Sequence, residues 1–310
     1  MGKASRTKVE VNRREKIAAQ RAAERRSERR RRILIASGSI IAVVAVVLAF
    51  VIFKLNSNST SSAAGSASNG PTGSALTAVV DKVTSVPTSV SDAVGNGGSA
   101  LLSSGKPTTI SGTPLTANGK PEMLYMGAEY CPYCAAERWA MIVALSRFGT
   151  FSGLATVHSA AANGAGQAEP YPNTPTWTFA NASYSSPYLT FTPVETNTNI
   201  PDTATGAYTT LQTPTAAQQA LITKYDGPNQ SIPFIDFGNK YVISGATYFP
   251  TGFAALGWSQ IAADLHNPNS AVAKSVLGTA NYITAAICKM TGNQPASACT
   301  STVQSLESQI

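Results

Sequence analysis

The sequence predicts an α/β domain held behind a single membrane-spanning helix. Three observations carry this. A 21-residue run without charge, Ile33 to Phe53, follows the cluster Arg29-Arg30-Arg31-Arg32. From about residue 120 onward, short apolar β-like runs alternate with helix-like runs. Cys131 and Cys134 stand with two residues between them where one such strand hands over to a helix, a spacing and position that mark a redox motif.

Charge is distributed along the chain in a way that separates a tail from the rest. Residues 1–32 hold 13 of the 23 Lys and Arg and 4 of the 16 Asp and Glu, a net +9; the remainder of the chain is −2. The pI of 9.3 therefore belongs to the tail. Glu–Arg pairs at i,i+4, such as Glu10/Arg14 and Glu28/Arg32, favour helix there. No aromatic residue is interleaved to stack on bases, so nucleic-acid binding is not expected. The tail is read as a solvated, cytoplasmic segment that touches anionic lipid.

At 1.5 Å per residue the run 33–53 reaches roughly 30 Å, the thickness of the bilayer's hydrocarbon core. It exceeds the apolar region of about 7–15 residues found in cleaved signal peptides, and Lys54-Leu55-Asn56 follows it instead of a small-residue cleavage site. A retained anchor is expected. The positive flank stays in the cytoplasm and the C-terminal part lies outside, in a compartment where disulfides persist. Residues 54–119, rich in Ser, Gly and Thr, read as a linker; within it Leu76 to Val94 has the spacing of a short amphipathic helix interrupted by Pro87.

Met123-Leu124-Tyr125-Met126 reads as a buried strand, and Ala135 to Phe148 as a helix with apolar residues at Trp139, Ile142, Val143 and Leu145. Cys131 then sits at a helix N-terminus, where the dipole and free N–H groups stabilise a thiolate. Pro132 suits the first helical position, because its missing N–H would have no partner there. A structural disulfide and half of a zinc site are the alternatives to dithiol chemistry at this point.

Further along, Leu154 to Ser159 reads as a second strand. Thr176 to Asn181 and Tyr188 to Val194 read as two strands that could pair as a hairpin around Ser185-Ser186-Pro187. Thr215 to Tyr225 reads as a helix capped by Thr215 and stopped by Gly227-Pro228. Ser231-Ile232-Pro233 precedes a hairpin, Phe234 to Phe237 and Lys240 to Ser244, with Gly238-Asn239 as its turn. Helices are expected over Trp258 to Leu265, Ser270 to Met290 and from Ser297 to the end. Cys288 and Cys299 flank the turn residues Gly292 and Pro295. They read as a structural disulfide, with a four-cysteine zinc site as the rival.

This order of parts resembles the thioredoxin fold: strand, Cys-X-X-Cys helix, strand, helix, Ile-Pro, hairpin, closing helix. Cys-Pro-Tyr-Cys is similar to the form common in glutaredoxins. The resemblance implies a thioredoxin-like sandwich over 120–310, with residues 160–213 as an insertion and extra helices at the C-terminus. It implies that Ile232 and Pro233 face the dithiol, with the Ile232–Pro233 bond cis, and hold the backbone of a substrate. More narrowly, residues 120–300 look like the membrane-anchored domain-of-unknown-function family 929. One departure concerns Tyr125, six residues before Cys131, where thioredoxin carries a buried Asp; Glu129 and Glu137 become the candidate proton acceptors for Cys134.

The expected function is that of a membrane-tethered, extracytoplasmic thiol–disulfide oxidoreductase. Cys131 exchanges with protein thiols or disulfides of the cell envelope and Cys134 resolves the mixed disulfide; Glu129, Tyr130, Pro132 and Tyr133 supply the immediate context. The chemistry needs no bound cofactor and no metal. A redox partner in the membrane is required to reset the pair. The alternative is a non-catalytic thioredoxin-like binding module in which Cys131 and Cys134 form a permanent staple. His158 and His266 are the only histidines, and no phosphate loop, dinucleotide fingerprint or hydrolase elbow appears.

Overall fold

A computed structural model describes residues 70–163, 166–201 and 205–310 of the chain. The basic tail, the expected transmembrane helix over 33–53 and the first part of the expected linker lie outside the described residues. Among the described residues, no helix is long and apolar enough to cross a membrane.

The linker expected over 54–119 gives way to folded chain well before residue 120. Helix α1 spans Gly73–Thr84 and α2 spans Thr88–Val94. Pro87, which the sequence reading takes as an interruption, is the residue at which one helix stops and the next starts: its extended backbone, φ −61° and ψ 138°, caps α2. Val79 and Val83 of α1 are buried in the main core, with Leu76 and Val80 packed beside them. These four recur at the spacing of one helical face. Their Ser-, Thr- and Gly-rich surroundings are the solvent side of the same helices, which is why composition alone reads as linker. Gly97 then crosses a later helix at Gly278: a Cβ added to Gly278 would stand 2.7 Å from the Gly97 Cα, so only two glycines allow this approach.

The strands follow. β1 is Thr108–Thr109, β2 is Thr116–Ala117 and β3 is Lys120–Gly127; helix α3, Pro132–Leu145, follows, with Cys131 as its N-cap and Cys134 in its first turn. Then come β4 Thr150–Ser152, β5 Ala155–His158, β6 Pro175–Thr178, β7 Ser183–Ser185, β8 Thr190–Glu195, β9 Asn197–Pro201 and β10 Tyr208–Thr210. Helix α4, Ala216–Asp226, starts in a reciprocal capping box between Thr215 and Gln218. β11 is Phe234–Phe237 and β12 is Tyr241–Ser244, joined by Gly238-Asn239, both at positive φ, the geometry of a tight hairpin turn.

In the main sheet β1, β12, β11 and β3 are consecutive neighbours. β8 pairs with β3 in parallel, and β2 pairs with the first residues of β3. β11 is antiparallel to both β12 and β3. β3 is buried on both faces and so is almost continuously apolar. Its alternate side chains go to opposite layers: Met123 and Tyr125 join the larger core, while Leu124 and Met126 join a smaller one with Val194, Phe234, Val242 and Ile222 of α4. The larger core also holds α3 and helix α6, Ala271–Thr291, which follows the short α5, Trp258–Asp264. The result is a mixed sheet with α4 on one side and α3 and α6 on the other.

Two expectations about strand pairing are corrected. The run read as the second strand, Leu154 to Ser159, does form β5, but β5 pairs with β6 in a separate two-stranded sheet. The strand parallel to β3 is β8, so Thr176–Asn181 and Tyr188–Val194 do not pair with each other. Residues 160–213 are accordingly not one insertion, since β8 within them belongs to the main sheet. The reason is physical. Apolar, β-branched runs declare a strand, whereas the partner is chosen by which long crossover closes; parallel pairing needs a dozen or more connecting residues, and here α3 and 149–189 supply them.

Helix α6 begins at Ser270, whose Oγ accepts the Ala273 N–H at 2.9 Å, and ends at Gly292 in the left-handed region, φ 63°. The last helix, α7, is Ser301–Glu307. Between them Cys288 and Cys299 are disulfide-bonded, with Cα atoms 5.8 Å apart and both residues buried. That bond consumes two of the four thiols that a Cys₄ zinc site would need.

Candidate active site

The site is built where the main sheet's central strand turns into α3. After β3 the chain tightens: the Ala128 carbonyl accepts the Cys131 N–H at 3.3 Å. Neighbouring loops hold the turn from outside, as Glu129 N–H donates to the Asn197 carbonyl and the Tyr130 carbonyl accepts the Ala160 N–H, each at 2.9 Å. Cys131 is the N-cap of α3, and Pro132 occupies its first turn. The Cys131 sulfur accepts the Cys134 N–H at 3.2 Å, doing for this helix what a capping hydroxyl does elsewhere.

The two thiols differ in environment. Cys134 is fully buried and Cys131 keeps 5% of its surface. Cys131 titrates below the ordinary cysteine range. The hydrogen bond from the Cys134 thiol does most of this, the Cys134 N–H and the Arg138 guanidinium add to it, and together they outweigh burial. Cys134 is pushed well above the ordinary range, first by burial and then by its hydrogen bond to Cys131. The two thiols are thus made unlike, one shifted toward its ionised form and its neighbour toward its protonated form.

After α4 the chain reaches the dithiol at Ile232, the residue before Pro233. The Ile232–Pro233 bond is cis. The Ile232 carbonyl lies 3.9 Å from the Cys131 sulfur, at the limit of the weak hydrogen bond a thiol can donate. The Pro233 carbonyl accepts the Gly245 N–H at 2.9 Å, which fixes this segment to the end of β12.

Two aromatic groups flank the cysteines. Tyr130 stacks on Tyr208 with centroids 4.1 Å apart and planes 6° from parallel, and burial pushes its pKa up to about 12. Tyr133 meets Tyr171 edge-on at 5.9 Å, and both face Phe249, an exposed ring. Tyr171, Tyr208 of β10 and Phe249 in the segment following β12 thus border the site.

The two expected proton acceptors do not reach Cys134. Glu129 is buried and its pKa is raised, chiefly by burial, with its carboxylate turned to Thr178 and the Asn199 backbone. Glu137 is engaged elsewhere, by the Thr247 hydroxyl, which donates to Oε2 at 2.6 Å; burial pushes its pKa up to about 8. The charged group brought to the dithiol is one that sequence reading missed, Arg138. Its Nε and Nη2 donate to both carboxylate oxygens of Glu195, at 2.8 and 2.6 Å, and neither side chain is exposed. The available signal was an Arg one turn after Cys134, on a mostly apolar helix whose other charged residue is Glu137.

A family model described as Domain of unknown function (DUF929) matches residues 106–289, more than half of the chain, and the chain belongs to that family. No curated protein and no solved structure matches it.

Proposed function

We propose that this protein is a thiol–disulfide oxidoreductase of thioredoxin-like fold, tethered to the membrane by residues 33–53 with its folded part outside the cytoplasm. The observation that carries the reading is the asymmetry of the dithiol: a Cys131 sulfur that caps a helix and accepts the Cys134 N–H at 3.2 Å, beside a buried Cys134. The order β3, Cys-X-X-Cys helix, parallel β8, α4, cis Ile232–Pro233, hairpin and closing helices supports the fold assignment. Membership of a family described only as a domain of unknown function is compatible with any activity, so the chemistry rests on the residues.

In the reducing direction, the Cys131 thiolate attacks a substrate disulfide. One sulfur of the substrate leaves as a thiolate and takes up a proton, and the other is held in a mixed disulfide. Cys134 then attacks the Cys131 sulfur, gives up its proton, and releases the second substrate thiol; the enzyme ends as the Cys131–Cys134 disulfide, two electrons poorer. The reverse sequence oxidises a substrate dithiol. The Ile232 backbone, whose carbonyl lies 3.9 Å from the Cys131 sulfur, would pair with the substrate backbone. Recycling requires a membrane redox partner, either a quinone-linked oxidase or a thiol-transferring reductase.

The test is trapping. Cys134→Ser should leave attack intact and block resolution, so mixed disulfides with envelope proteins accumulate on non-reducing gels, and Cys131→Ser should abolish them. Absence of any trapped partner with Cys134→Ser would overturn the reading. A second reading, a binding module with Cys131–Cys134 as a staple, is favoured by the small exposure of Cys131, 5%. It requires a reduction potential below about −300 mV, whereas a catalytic pair lies above that value.

A further inference from the structure

The reaction leaves one buried feature unused. Arg138 and Glu195 form an ion pair from which both side chains are wholly withdrawn from water. Taking two charges out of water costs several kcal/mol per ion, and an apolar pair of the same volume is often at least as stable. Stability therefore does not account for it. Its surroundings point to the dithiol. Arg138 is four residues after Cys134 and seven after Cys131, so all three project from one face of α3. The guanidinium Nη2 also donates to the Ala128 carbonyl at 2.7 Å, and that same oxygen accepts the Cys131 N–H. Arg138 is thus bonded to the turn that presents the nucleophile.

Glu195 fixes the other edge of the guanidinium. It ends β8, opposite Gly127 in the parallel register, and its Oε1 also accepts the Phe179 N–H at 3.3 Å. Tyr125 of β3 lies under the cation, its ring centroid 5.9 Å from the guanidinium carbon. Two donors in this cluster have no hydrogen-bond partner: Arg138 Nη1 and the Tyr125 hydroxyl, both buried. A buried donor without an acceptor is costly, and anionic sulfur is the acceptor that thiol–disulfide exchange generates. The charged and titratable groups around the dithiol are Arg138 and Tyr133 on α3, Tyr125 on β3, Glu195 on β8, and Glu129 and Tyr130 in the turn.

We propose that Arg138, held in place by Glu195, is the positioning residue that supplies the dithiol's counter-charge, stabilising the thiolate of Cys131 and the negative charge that develops on Cys134 as it attacks. The site then activates its resolving cysteine with a fixed cation and two buried donors, in place of a carboxylate that removes the proton; the proton released by Cys134 passes to the departing substrate thiolate. The proposal rests on the oxidoreductase reading for its purpose, but its electrostatic content is independent of any substrate. Attraction to Arg138 favours the charged form of both sulfurs, in agreement with the geometry.

The experiment uses the purified full-length chain and two readouts: the pH profile of Cys131 alkylation by iodoacetamide, and the dithiol–disulfide equilibrium in glutathione buffers. Arg138→Met combined with Glu195→Met removes both charges and leaves no buried ion unpaired, so this variant keeps the test open where Arg138→Met alone fails to fold. Its Cys131 alkylation at pH 6 should slow by about ten-fold, the effect of one pKa unit, with the glutathione equilibrium shifted toward the disulfide. Glu195→Gln leaves the cation uncompensated and should shift both readouts in the opposite direction, and Arg138→Lys should stay nearer to wild type than the double variant. Unchanged profiles in the folded variants, or shifts of the same sign in the double variant and Glu195→Gln, would overturn the proposal. Failure of the oxidoreductase reading looks different: wild type would trap no partner and exchange no disulfide, while the alkylation shifts would remain.

Discussion

The Cys131 sulfur stands 3.9 Å from the carbonyl oxygen of Ile232, a residue 101 positions later in the chain. The contact joins the N-terminus of α3 to the segment that opens the β11–β12 hairpin. It places a helix-capping sulfur next to the backbone of the segment before β11, so the two are brought together by elements that meet only in the folded state.

The asymmetry of the two sulfurs predicts their reactivity. Cys131 is lowered by the Cys134 hydrogen bond and Cys134 is raised by burial. At pH 6 an ordinary thiol of pKa about 8.5 is almost wholly protonated, so any rapid alkylation there belongs to Cys131. Mass spectrometry after a short iodoacetamide pulse should find the label on Cys131 and almost none on Cys134. Comparable labelling of both residues would contradict the environment described for them.

Glu137 predicts a pH dependence of stability. Its carboxyl is raised from 4.5 to about 8 by burial, with the Thr247 hydroxyl at 2.6 Å, itself hydrogen-bonded by Thr279, as the partner of one oxygen. Between these two values the folded state holds a proton that the unfolded state has lost. The contribution is therefore complete below about pH 4.5 and disappears as pH rises through 8, at up to about 1.4 kcal/mol per pH unit. Urea titrations at several pH values should show this decline in the wild type. Glu137→Gln, which cannot ionise, should flatten the curve and be the more stable protein at pH 9.

The Cys288–Cys299 bond closes a short loop from the end of α6 to the residues before α7. Loop-entropy arguments put its worth at about 3 kcal/mol. Replacing both cysteines by Ser should lower the melting temperature accordingly and leave the alkylation rate of Cys131 unchanged, because the pair contributes nothing to the dithiol's surroundings. A change in Cys131 reactivity without a loss of stability would reverse these roles.

The N-terminal helices provide a test of where the domain begins. Val83 is fully buried although it lies in a stretch whose composition reads as linker. Val83→Asp would place an unpaired charge in the main core, at a cost of roughly 3 kcal/mol or more. The neighbouring exposed Asp81→Ala should be nearly neutral. Thermal denaturation separates the two outcomes; a tolerated Val83→Asp would mean that α1 does not belong to the folded core.

Much of the local structure was legible in the chain itself. The Cys-Pro-Tyr-Cys helix start, the Thr215 cap, the Gly238-Asn239 turn and the turn at Gly292 are all written in nearest-neighbour chemistry: dihedral preference, side-chain capping and helical or strand period. The disulfide between Cys288 and Cys299 was legible for the same reason, since the two residues flank one turn. What tertiary structure alone decided is everything that depends on a distant partner. β8 rather than β5 lies beside β3, Val79 and Val83 turn a Ser-rich stretch into core, and Glu137 turns away from Cys134 toward Thr247. Arg138 and Glu195, 57 residues apart, become a single charged unit beneath the dithiol. Such pairings are chosen by how whole elements cross and pack, and their energies exist only once both partners have left water, so neither partner's local sequence contains them.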